Sequence, residues 1–95
     1  MTDGIEKEAK VQIVNRAGMH ARPAAMLVKL AGTFSAVIHV EKEGLQVNGK
    51  SIMGVLMLAA EMGSQLRISA EGHDAEDAVR ALADLVGQGF GEMEG

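Results

Sequence analysis

Four short runs of alternating apolar and polar residues, interleaved with three runs of helical spacing, constrain the fold of this 95-residue chain most tightly. Val11 and Ile13 alternate with polar neighbours between Lys10 and Asn15. Phe34, Ala36, Ile38 and Val40 do so next, then Leu45 and Val47, then Leu66, Ile68 and Ala70. A period of two leaves each strand with one apolar face, so these segments predict half-buried strands. A helix is expected from about His20, where Ala24, Leu27, Val28 and Ala31 recur on one face and Gly32 stops the run. Pro23 fits its first turn, where the missing N–H would have no intrahelical partner. Ser51 is a natural N-cap for a second helix running to about Glu61, with Gly63 ending it. Asp74 caps a third in this reading, with Asp77 completing an imperfect capping box and Ala75, Val79, Leu82 and Val86 on its apolar stripe.

The resulting order, β-α-β-β-α-β-α, predicts an α+β two-layer open-faced β-sandwich. Its sheet is four-stranded and mostly antiparallel, with the helices on one face. Residues 1–8 read as a flexible lead, 9–92 as a single domain and 93–95 as a C-terminal tail. Gly87, Gly89 and Gly91 are expected to loosen the C-terminal end. Phe34 and Phe90 are the only aromatic residues, so the core must come from Val, Ile, Leu, Ala and some of the seven methionines.

A formal net charge of −4 argues against nucleic-acid and anionic-membrane partners. Without cysteine there are no disulfides and no thiolate metal sites. His39, on the second strand, and His73, in a turn, have no Asp or Glu at ligand spacing beside them, so neither a metal nor a cofactor is expected. No run approaches transmembrane length and no apolar leader precedes the first strand. A cytoplasmic location is the expectation.

Three places can carry chemistry. Gly18-Met19-His20-Ala21-Arg22-Pro23-Ala24 sets an imidazole at the mouth of a helix. Free amides and the positive end of the helix dipole favour an anion there, and Arg22 adds a charge. A partly unprotonated histidine in that position reads as a phosphohistidine nucleophile. The second place is the helix after Ser51, apolar nearly all round, whose unburied side should meet a protein partner. Ile52, Met53 and Leu56 are the residues expected on that side. Ser51 is the third. Its hydroxyl caps the helix, and a phosphate on it would bring about −1.5 to −2 charges beside the apolar patch.

The motif G-M-H-A-R-P-A together with N-G-K-S-I-M-G-V resembles the HPr family, the histidine-containing phosphocarriers of the bacterial phosphotransferase system. The resemblance runs over about residues 9 to 92 in one register. It implies transfer of a phosphoryl group from phosphorylated enzyme I to an enzyme IIA protein. His20 falls on the family's phosphorylated histidine and Arg22 on its supporting arginine. Ser51 falls on the serine that an ATP-dependent kinase modifies in some bacteria, and Ile52, Met53 and Leu56 on the docking helix. The kinase and a transcription regulator would then be further partners. Ala17 departs from the polar residue many members carry in that loop, Met19 replaces a leucine or isoleucine, and the leading tail is longer than usual. The run from Val47 to Ala60 is also similar to the nitrogen-related, regulatory branch of the family, which leaves sugar uptake and regulation both open.

A binding module controlled by Ser51 phosphorylation is the competing reading, but it has no use for His20. An autonomous enzyme is the weakest reading, because the sequence shows no Gly-rich nucleotide loop, no metal cluster and no acid/base pair. A shuttle that shows one face to successive partners is expected to be a monomer.

Overall fold

The computed structural model describes residues 5–93. Its elements are β1 (Glu6–Gln12), α1 (Ala21–Ala31), β2 (Val37–Lys42), β3 (Leu45–Asn48), α2 (Ile52–Met57), β4 (Gln65–Glu71) and α3 (Ala75–Gly87), followed by one tight helical turn, Gly89–Gly91. The strands form a single sheet in the order β1-β4-β2-β3, and every pair is antiparallel. This is the expected open-faced sandwich.

Register explains which residues are inside. Ala9 opposes Ile68 across β1 and β4, while Ile38 opposes Ala70 and Val40 opposes Ile68 across β2 and β4. One face of the sheet is therefore apolar. Leu27 of α1, Val55 of α2, and Val79, Leu82 and Val86 of α3 are buried with it in one core. Each fully buried side chain of this size contributes roughly 1.5–3 kcal/mol over an exposed one. That shared layer, more than strand propensity, holds the short strands in place. The opposite face carries Arg67, Glu41 and the half-buried His39, with an ion pair between the first two. Among the described residues no helix is long and apolar enough to cross a membrane.

Several features differ from the sequence expectation, β2 among them: it begins at Val37, so Phe34 and Ala36 of the expected alternation lie before it. β1 begins at Glu6, so Glu6, Lys7 and Glu8 of the expected lead are paired with Glu71, Ala70 and Ser69. β1 is an edge strand whose first residues are solvent-facing, so no apolar alternation announces them. α2 stops at Met57, short of Glu61. Ala59 takes a positive φ of 49°, and the Lys42 ammonium donates to the carbonyls of Leu58 and Ala59 at 3.1 and 3.2 Å. The Val55 and Leu56 carbonyls of the last turn accept from the Leu58 and Ala59 amides, and Lys42 satisfies the two carbonyls just beyond it.

Asp74 precedes α3 but makes no side-chain cap bond. Its carboxylate instead accepts the Ser35 and Ala36 amides at 2.8 and 2.9 Å, tying the start of α3 to the entrance of β2. The glycine-rich end is not loose either. Phe90 is fully buried, with φ 56°. It anchors the turn that returns the chain toward the start of α1. The expected tail retains one described residue, Met93, which is exposed; residues 94 and 95 lie outside the described range, as do the first four of the lead.

Candidate functional site

The loop between β1 and α1 is built to a tight specification. Gly18 has φ 71°, and a Cβ there would lie 2.7 Å from the Ala60 carbonyl oxygen. The next residue, Met19, donates its amide to that same oxygen at 2.8 Å and buries its side chain. Only glycine combines the left-handed backbone with so close an approach. His20 follows as the N-cap residue of α1, its own side chain making no cap bond.

Two amides at the start of α1, those of Ala21 and Arg22, have no hydrogen-bond partner among the described residues; Pro23 has no N–H, and the Ala24 amide bonds the His20 carbonyl at 3.0 Å. Two free donors therefore lie in the turn that the sequence marks as an anion site. His20 Nε2 lies 3.1 and 3.2 Å from the two carboxylate oxygens of Glu92. Arg22 donates to one of those oxygens at 3.1 Å. His20 Nδ1 has no partner among the described residues. Arg16, Ala17, His20, Arg22 and Glu92 together line an open cleft.

Glu92 and Asn15 are the site residues that sequence reading missed. Asn15 is fully buried, and its amide nitrogen donates to the Gly18 carbonyl at 2.9 Å and to Glu92 at 3.0 Å. The hydrogen bond from His20 does most to hold the Glu92 carboxyl below the usual glutamate range; Asn15 and Arg22 act in the same direction, and burial opposes them. The one available signal was Phe90. A lone large apolar residue in a glycine-rich stretch is a candidate anchor, and an anchored turn puts the next polar residue somewhere definite.

The second cluster is around α2. Ser51 Oγ accepts the Gly54 amide at 3.0 Å, the N-cap expected of it. Val55 and Leu58 are buried, while Ile52, Met53 and Met57 are exposed, Met53 to 72%. Leu56 is half-buried against the core, so Met57 takes the outward position that the sequence reading gave to Leu56. His73 is exposed, and no hydrogen bond among the described residues links it to His20 or Glu92. No group of three or more potential metal-ligating side chains occurs among the described residues.

Comparison with known proteins gives a consistent result. Residues 7–88 match the family model described as "PTS HPr component phosphorylation site". The chain is 45% identical over 82 residues to the phosphocarrier protein HPr of Cupriavidus necator, covering 86% of this chain and 92% of that one. Among solved structures it is similar to HPr-C-His of Thermoanaerobacter tengcongensis, with a TM-score of 0.89 and 48% identity over 93% of this chain and 99% of that one. It is also similar to an HPr dimer from the same organism, with a TM-score of 0.74 and 49% identity over 90% and 99% of the two chains.

Proposed function

The chain belongs to the PTS HPr family of phosphocarriers, and we propose that His20 accepts a phosphoryl group from phosphorylated enzyme I, ultimately from phosphoenolpyruvate, and passes it to an enzyme IIA protein. The observation that carries this reading is the setting of one imidazole. His20 stands at the start of α1 with Nδ1 unpartnered, next to two unbonded helix amides and the Arg22 guanidinium. Nδ1 attacks the phosphorus; the bond between phosphorus and the donor breaks, and its electron pair returns to the donor. The helix amides and Arg22 stabilise the charge on the phosphoryl oxygens, so that positioning and electrostatics supply the catalysis. Transfer of labelled phosphate from phosphoenolpyruvate through enzyme I to the wild-type chain, but not to His20→Ala, is the test.

The exposed Ile52, Met53 and Met57 form the docking surface in this proposal. Apolar side chains standing together on a short helix are the usual mark of a partner site. Ser51 borders them, and its phosphorylation by an ATP-dependent kinase would add charge at the edge of that surface. A protein used only as a regulatory module through Ser51 is the second reading, favoured by that adjacency and extended to a transcription regulator as partner. Cytoplasmic residence and a monomeric state belong to the first reading. A related HPr forms a dimer, so sedimentation at working concentration is the check on the latter.

A further inference from the structure

We propose that Arg16 is a second cationic contact for the phosphoryl group on His20, reaching it from the turn between β1 and α1. This rests on the reading of His20 as phosphoacceptor and adds to it a residue outside the motif that carries that reading.

Arg16 is the arginine with nothing to balance it. Of the chain's four arginines, Arg22, Arg67 and Arg80 each pair with a carboxylate, that of Glu92, Glu41 and Glu76 respectively. Arg16 is exposed and its guanidinium has no hydrogen-bond or ion-pair partner among the described residues. It nevertheless lines the open cleft that holds His20 and Arg22.

The turn beneath it fixes where that side chain starts. The Gly18 amide donates to the Asn15 carbonyl at 3.1 Å, and the buried Asn15 side chain donates to the Gly18 carbonyl at 2.9 Å. Two bonds between the same two residues close a four-residue turn, with Arg16 and Ala17 exposed at its outer corners. Ala17 has no polar side-chain atom to offer. Arg16 is therefore the one side chain at those corners able to hold an anion.

The charges in the cleft call for a second cation. A phosphoryl group on a side chain brings about −1.5 to −2 charges. Arg22 is already paired with Glu92, and the two free amides at the start of α1 offer dipoles rather than a full charge. Arg16 is the remaining cation of the cleft lining. Its planar fork of donors matches the spacing of phosphoryl oxygens. No proton moves to or from it. The nitrogen–phosphorus bond forms on His20 as the bond to phosphorus in phosphorylated enzyme I breaks, and that electron pair leaves with enzyme I.

The test uses the full chain phosphorylated by enzyme I and phosphoenolpyruvate. It follows the ³¹P resonance of the phosphoryl group as pH is varied, and measures kcat and KM for phosphorylation. A cation at the phosphoryl oxygens favours their charged form, so Arg16→Gln should raise the midpoint of the ³¹P titration by roughly one unit. It should also lower kcat roughly tenfold or more, as loss of a charge-assisted bond does. Arg16→Lys keeps the charge but loses the fork, and should restore the midpoint more fully than kcat. An unchanged amide spectrum away from the turn confirms that the variants fold. A wild-type ³¹P midpoint in Arg16→Gln overturns the proposal; if KM alone then rises, Arg16 touches the partner protein and not the phosphoryl group. If His20→Ala is still labelled, the phosphoacceptor reading fails and takes this proposal with it. If His20→Ala is silent and Arg16→Gln titrates as wild type, only the role of Arg16 is lost.

Discussion

Met19 donates its backbone N–H to the carbonyl of Ala60 at 2.8 Å, mooring the loop that carries His20 to the segment just beyond α2. The candidate nucleophile and the candidate docking helix are therefore parts of one surface. α1 and α2 also pack against each other, so a partner that grips the exposed face of α2 is brought up to the start of α1. Lys42 adds a second tie by bonding the carbonyls at the end of α2 from the sheet side.

Gly18→Ala should break the first tie. The new Cβ meets the Ala60 oxygen at 2.7 Å, on a backbone already at φ 71°. Strain of this kind costs on the order of 1–3 kcal/mol. A urea denaturation curve should show the midpoint falling with little change in slope. A wild-type midpoint would mean that the loop relaxes without cost.

Ile52→Glu should weaken binding to enzyme I by about tenfold or more, within the range seen for a central interface residue. Ile52 is 44% exposed, so the fold should tolerate the change. Met57→Glu tests the outward position taken by Met57. Ser51→Asp should act in the same direction, and salt should relieve its effect if charge is the cause. Titration calorimetry reads all three. Wild-type affinities would return α2 to a purely structural role.

The parts of this arrangement that were legible in the sequence are those decided locally. Alternation located β2 and β4, the apolar stripe located α3, and Ser51 was recognisable as an N-cap from its residue type and position. The motif around His20 marked the candidate nucleophile. What escaped was decided by distant neighbours. The first residues of β1 are polar, and only pairing with β4 makes them a strand. Nothing among Leu58, Ala59 and Ala60 signals a helix end; the positive φ of Ala59 and the reach of Lys42 do. Asp74 looks like a helix cap in sequence, yet its carboxylate bonds the amides of Ser35 and Ala36 across the fold. Glu92 meets His20 only because Phe90 is pulled into the core.

Asp74 gives a pH prediction of definite sign. The Ser35 amide does most to hold its carboxyl below the ordinary aspartate range; the Ala36 amide and the charge of His73 assist, while burial opposes. A carboxyl whose folded pKa is depressed contributes stability that is present above its unfolded pKa, about 3.9, and is lost as pH falls through the folded value. Asp74→Asn should therefore unfold at a lower temperature than wild type at neutral pH, with the gap closing as the pH is lowered below 4. A gap that stays constant down to pH 2 would show that the bonds contribute nothing through ionisation.

The central claim is that His20 carries the phosphoryl group. Incubation with enzyme I and phosphoenolpyruvate, followed by intact-mass measurement before and after mild acid, tests it directly. The wild-type chain should gain one phosphoryl group that acid removes, and His20→Ala should gain none while retaining its fold. An acid-labile phosphoryl group on His20→Ala at the wild-type rate would contradict the account.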